Sequence, residues 1–313
     1  MGTDSKTVLI GVATLRNSFR DSTVLLITAL FLAMVMLSAW LGWSATQTIN
    51  AIYAAAVNTM MAKGVDIPPN PVSEGSALSL LRNMSIYVAL LGSLAAMVFG
   101  NLAIAADRKS GVIPLLATRP LTRSSLAWGK ILAIAVAIFG LTLFAAAVNV
   151  ATLLILPGLA LAPDTWIRLS EFYGVSALYM LAFALLAALC AVRFHSESMA
   201  LLVPVAIWLV LTFVLPQVTA NISPMAALNP LSATAALPSG PFFAVSDALL
   251  GPLSLAEAYR SLAADLLQLA PDNLPRRSPS SSLATMITAN LALAAGLVFS
   301  IARFDASQSE FND

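Results

Sequence analysis

Six stretches, residues 23–43, 83–106, 131–156, 169–192, 199–221 and 283–301, are apolar and nearly free of charge. At about 20 residues each they are long enough to cross a hydrocarbon layer roughly 30 Å thick. In lipid, a backbone that does not pair its own donors and acceptors costs several kcal/mol per group, so each run must be a helix. The runs do not alternate in polarity, as barrel strands would. Composition agrees: of 313 residues 59% are apolar and 10% charged, with mean hydropathy +0.88, against about 45–50% and about 25% in soluble domains. The expected fold is therefore an all-α polytopic membrane protein with six transmembrane helices. A cytosolic enzyme, a disordered chain and a nucleic-acid binder are excluded, the last also because sixteen Lys and Arg against fifteen Asp and Glu leave a net charge of only +1.

Basic residues orient the spans. With both termini inside, ten of the sixteen cations fall on cytoplasmic pieces, at roughly three times the density of the outer pieces. The segment 1–22 is polar at its ends and lacks a small-residue cleavage site, so the first span reads as retained. Within it Val8, Val12, Leu15 and Phe19 recur at helical spacing beside Lys6, Arg16 and Arg20, the pattern of an interfacial helix on the inner leaflet. Residues 23–221 hold spans one to five, with an outer loop at 44–82 and a cytoplasmic loop at 107–130; residues 222–282 form an extracytoplasmic helical segment; residues 283–313 are the last span and a cytoplasmic tail. The expected location is a bacterial cytoplasmic (inner) membrane.

Chemistry inside the spans is sparse. Glu171 falls near the outer end of the fourth span, and neither buried carboxylates nor broken helices mark a midplane site, which disfavours a secondary carrier. The single Cys190 and single His195 provide no disulfide and no metal-ligand set, and the pairs Met34/Met36 and Met60/Met61 read as core filler, so no metal site is expected. Gly92, Ala96 and Gly100 form a small-residue ridge along the second span, a face that lets another helix approach closely. In the outer segment 222–282, rich in proline, Ser254 and Glu257 make a capping box, and Leu255, Tyr259, Leu262, Leu266 and Leu269 form a stripe ending before Pro271. A helix over 253–270 is expected, with Glu257, Arg260, Asp265 and Gln268 on a polar face. It would lie across the outer mouth, where Leu255, Tyr259, Leu262 and Leu266 contribute to an extracytoplasmic gate or a platform for an accessory protein.

The most informative stretch is the loop after the second span, AADRKSGVIPLLATRPLTRSSLAWGK over 105–130. Pro114 suits a first helical turn, Val112, Leu115 and Leu116 give an apolar side, and Pro120 stops the element. Arg108, Lys109, Arg119 and Arg123 rim it. Such an element suits docking to a cytoplasmic protein, or anchoring to lipid head groups. The order of Asp107, Gly111, Leu115, Leu116, Pro120 and Arg123, followed by Gly129 and Lys130 opening the next helix, resembles the coupling-helix segment of ABC type-2 transporter permeases. The six spans, the N-terminal interfacial helix and the outer helical insertion are similar to the same family, and the enlarged loop after the first span resembles the branch containing NosY, the permease associated with copper-site maturation.

That resemblance implies a dimer, with a second permease copy or a paralogue, carried on cytoplasmic ABC ATPase subunits. Asp107, Gly111, Val112, Leu115, Leu116, Arg119, Pro120 and Arg123 would then be the ATPase-coupling residues. This chain has no G-x-x-x-x-G-K-[ST] loop, so it is not expected to be an enzyme or to carry a cofactor of its own; ATP and Mg would sit on the partner ATPase. The expected function is the membrane subunit of an ATP-driven exporter or extruder. The alternatives are a polytopic scaffold that recruits a cytoplasmic partner without transport, and a secondary carrier.

Overall fold

The structure is a computed structural model that describes residues 3–63, 66–67, 69–70, 72, 76–109, 123–156, 162–234, 240–269 and 277–303. Among these no strand occurs, and six helices are long and apolar enough to cross a membrane. In chain order the main helices are α1 (Thr3–Ser18), α2 (Ser22–Lys63), α3 (Ala77–Ala106), α4 (Arg123–Ile155), α5 (Pro163–Arg193), α6 (Glu197–Ala220), α7 (Pro241–Leu250), α8 (Leu255–Leu266) and α9 (Pro279–Ala302). Helices α2–α6 and α9 are the six spans, so the chain is an all-α polytopic membrane protein.

The centre of the bundle is α5, which packs on α3, α9, α6, α4 and α8. Its sequence explains the role: Ala177, Ala182, Ala184, Ala187, Ala188 and Ala191 are almost wholly buried, and small side chains let neighbouring backbones come close enough for dispersion contacts, the main attraction between helices in lipid. Aromatic pairs fill the wider parts, with Phe172 edge-on to Tyr173 at 5.2 Å and Tyr179 edge-on to Phe183 at 5.1 Å. On α3, Ala96 is fully buried, and Gly100 lies directly against the Ala184 carbonyl of α5, where any Cβ would collide with backbone. A Cβ on Gly92 would meet Met180 Sδ at 3.2 Å and Phe31 at 3.3 Å.

The first spanning helix is longer than the sequence reading. A membrane needs only residues 23–43, and residues 44–82 are expected as a loop. The helix instead continues unbroken to Lys63, 42 residues in all, or about 63 Å at 1.5 Å per residue. No glycine or proline stands between Gly42 and Gly64 to stop it. Its buried residues, Val24, Phe31, Val35, Ser38, Ala39 and Thr46, end well before its C-terminus, so the last turns stand clear of the core.

The fifth span carries its own irregularity. Pro216 has no N–H, and its ring would strike the carbonyl of Thr212 in a regular helix; the backbone over Val210–Val214 widens into a π-helical turn. Asn221, in the left-handed conformation (φ 51°), ends α6 while Ile222 N–H donates to the Pro216 carbonyl.

In the segment between the fifth and sixth spans, one helix packs closely into the bundle. Helix α8 packs on α5, α9 and the π-helical turn of α6, and its Tyr259 ring stacks on Tyr179, midway along α5, with centroids 4.5 Å apart. Ser254 caps it as the capping box implies, its Oγ accepting from Glu257 N–H at 3.2 Å. The helix stops at Leu266, not Ala270, because Gln268 takes the left-handed conformation (φ 54°) and Leu269 N–H turns back to the Ala264 carbonyl. The expected polar face is split: Glu257 and Arg260 are 8% and 2% exposed, while Asp265 is half-buried and Gln268 is exposed.

Candidate functional site

Two places carry the chemistry. The first is the end of the bundle where α3 leads into the loop and α4 begins. Gly111, Val112, Leu115, Leu116, Arg119 and Pro120 lie outside the described residues, and Asp107 is in the last helical turns following α3. The flanks are well defined. Lys130, 3% exposed, donates from Nζ to the Ala103 carbonyl at 2.7 Å, joining the start of the third span to the end of the second. A buried ammonium needs such a partner, since burying it unpaired is costly. Gly129 faces α1: a Cβ there would sit 2.7 Å from Ile10 Cγ2 and 2.9 Å from the Thr7 carbonyl, and Gly11 in turn meets the Gly129 carbonyl. The Gly-Lys pair thus has a physical role in seating α1 on α4 and α4 on α3. The apolar Val8 and Val12 of α1 stay exposed. Arg123, the first residue of α4, donates from Nη1 to the Ala302 carbonyl at 2.6 Å. Its guanidinium thus engages the end of the last span, where the sequence reading places it on the rim of a docking element.

The second place is the interior around α8. Arg277, at the approach to α9, holds three elements: Nη1 donates to the Gly251 carbonyl at 2.6 Å, Nη2 is bonded and ion-paired to Asp247 of α7, and Nε lies 3.7 Å from Glu257 Oε1. Burial pushes the Glu257 carboxyl above its ordinary value, with the charges of Arg277 and Arg260 opposing the shift. Arg260 donates from Nη1 to the Ala227 carbonyl at 2.9 Å, and burial pulls its guanidinium down while Glu257 opposes. Tyr259 shares a hydrogen bond of 3.1 Å with Ser176 of α5. Leu255, Leu262 and Leu266 are buried beside them. Sequence reading singled out Tyr259 and the leucines but put Glu257 and Arg260 in water. The signal against that was Ala256, Ala258, Ala263 and Ala264, small residues around the whole helix rather than on one side.

A consequence concerns pH. Glu257 is held above its unfolded value of 4.5, so the folded state favours its protonated form. Its contribution to stability is complete below about pH 4.5 and is lost as pH rises through the higher folded-state value. Glu257→Gln should therefore melt above the native chain at pH 7, the gap closing toward pH 4.5. A variant that melts lower at pH 7 would mean that pairing with Arg277 outweighs burial.

Among the described residues no three His, Cys, Asp or Glu side chains lie together. These features define a polytopic α-helical membrane protein with small-residue packing and a short helix buried against its spans. The model of the ABC-2 family transporter proteins matches residues 13–308; the chain belongs to that family and is a membrane-spanning permease of the ABC transporter type. No curated protein sequence matches it.

Proposed function

We propose that this chain is the permease subunit through which a separate cytoplasmic ABC ATPase, binding ATP and Mg, drives export or extrusion across a bacterial cytoplasmic membrane, with both termini in the cytoplasm. The observation that carries the reading is the family match over residues 13–308. Residues 107–130 are the segment through which the ATPase acts. What supports this is the way the flanks are tied: Lys130 links α4 to α3, and Arg123 links α4 to the end of α9. A displacement of the loop would reach three spans at once. A second permease copy or paralogue completes the pore, and an extracytoplasmic accessory protein is a further partner. The long segment after the first span, helical to Lys63, supports placement in the NosY-like branch.

The test is purification of the tagged chain from its native membrane, identification of co-purifying proteins by mass spectrometry, and ATP hydrolysis after reconstitution in lipid. An ATPase with Walker motifs that hydrolyses ATP in the complex is the expected result. Recovery of the chain without any ATPase would overturn the reading, and an ATPase bound but silent would favour the scaffold.

A further inference from the structure

Helix α7, with the short turn Gly251–Leu253 that continues it, is built inside out for water. Its two polar side chains point inward: Ser246 Oγ donates to the Val218 carbonyl of α6 at 3.0 Å, and the Asp247 carboxylate pairs with Arg277. The outward side carries Phe242, Val245, Leu249 and Leu253, each between 58% and 69% exposed, and otherwise only alanine and proline. Their spacing of three, four and four residues puts all four on one helix face. Pro241 opens the helix without an N–H, removing one of the donors that a helix start leaves unpaired.

The inward bonds fix the height of α7. Val218 is two residues from the end of α6, and Arg277, which also donates to the Gly251 carbonyl at 2.6 Å, stands two residues ahead of α9. Each of these spans has 24 residues, about 36 Å of helix, against a hydrocarbon layer roughly 30 Å thick. Their ends, and α7 with them, therefore stand at the edge of that layer. With ten residues and the three of the following turn, α7 is too short to cross it. Water would meet four large apolar side chains there. A protein partner ordinarily finds about one hydrogen bond per 100–200 Å² of interface, and the outward side chains offer none; acyl chains need none. The neighbouring surface agrees, because α7 packs on the last turns of α6, whose own Leu202, Val210 and Val214 are exposed and apolar. We infer that α7 is a membrane-surface helix whose partner is the acyl-chain region of one lipid leaflet, entered by Phe242, Val245, Leu249 and Leu253. The leaflet then holds the entrance to α8, since Leu253 leads directly into its cap, Ser254. The inference needs only that the chain spans a membrane, and not that an ATPase drives it.

The experiment uses the full chain in phosphatidylcholine nanodiscs, with Cys190→Ala and a single new cysteine, Leu249→Cys or Val245→Cys, carrying an environment-sensitive fluorophore. Phosphatidylcholine bearing a nitroxide on the fifth or the twelfth acyl carbon quenches from within the lipid, and iodide quenches from water. Both labelled positions should lose most of their emission to the nitroxide lipids, more to the fifth carbon than to the twelfth, and little to iodide. Leu143→Cys, 71% exposed in the middle of α4, marks a lipid-facing position at depth and should show the opposite order of the two carbons. Both α7 substitutions replace exposed side chains, so either variant decides the matter if the other fails to elute as the native chain does. Quenching by iodide alone would put α7 in water, and protection from iodide and nitroxide alike would put a protein over it, a second copy or an accessory protein; either result overturns the proposal. Because the label is read without the ATPase, failure to co-purify an ATPase leaves it standing, and the reverse holds equally.

Discussion

Gly100→Ala should abolish the folded protein. The Cβ would be placed onto the Ala184 carbonyl of α5, and backbone of a central helix cannot swing aside as a side-chain tip can. Ordinary overpacking costs about 1–3 kcal/mol; here α3 must move bodily from its largest contact surface, a loss on the scale of the whole stability of about 5–15 kcal/mol. The same substitution at Gly140 and Gly174, where a Cβ meets nothing within 4 Å, should be neutral or slightly stabilising, since alanine is the better helix former. Gly92→Ala should fall between, because Met180 can yield. Size-exclusion profiles and unfolding midpoints of the four variants in one detergent give the ranking. A Gly100→Ala chain that elutes and melts like the native one would show that α3 and α5 are not packed at this crossing.

The legible part of this fold is what the solvent dictates. Six spans follow from six apolar runs because lipid offers a backbone no alternative to helix, and the ridge of Gly92, Ala96 and Gly100 is visible because small residues three and four apart share a face. Two features escaped for physical reasons. The first helix runs twenty residues past Trp43 because membrane thickness limits a span and not a helix; only a stop signal could end it, and none is present before Gly64. The burial of α8 escaped because its charges look solvated. Glu257 and Arg260 are one helical turn apart, the spacing of an exposed face, yet Arg277 and the Ala227 carbonyl, distant in sequence, supply their partners. Of the loop at one end, the sequence supplies the motif and its flanks explain themselves: Gly129 because α1 crosses there, Lys130 because its buried ammonium needs the Ala103 carbonyl.

Those flanks sharpen the expected behaviour of the loop proposed to couple to the ATPase. Leu115 and Leu116 are the apolar candidates between Pro114 and Pro120, and burying one leucine in a partner is worth about 1.5–3 kcal/mol. An exposed ion pair at the rim is worth about 0–1 kcal/mol. Leu116→Asp removes the first contribution and also buries a charge, so ATPase retention should weaken by about 10- to 100-fold or more. Arg119→Ala should weaken it by less than about fivefold. Arg123 separates two kinds of damage. Its guanidinium is engaged with the Ala302 carbonyl at the end of α9, so Arg123→Ala should lower the unfolding midpoint of the chain while leaving the affinity for the ATPase close to native. Pull-downs at graded ATPase concentration, read beside unfolding midpoints, distinguish the three. If Leu116→Asp and Arg119→Ala retain the ATPase equally, residues 111–117 are not the docking element; if Arg123→Ala loses the ATPase at unchanged stability, the arginine belongs to the rim after all.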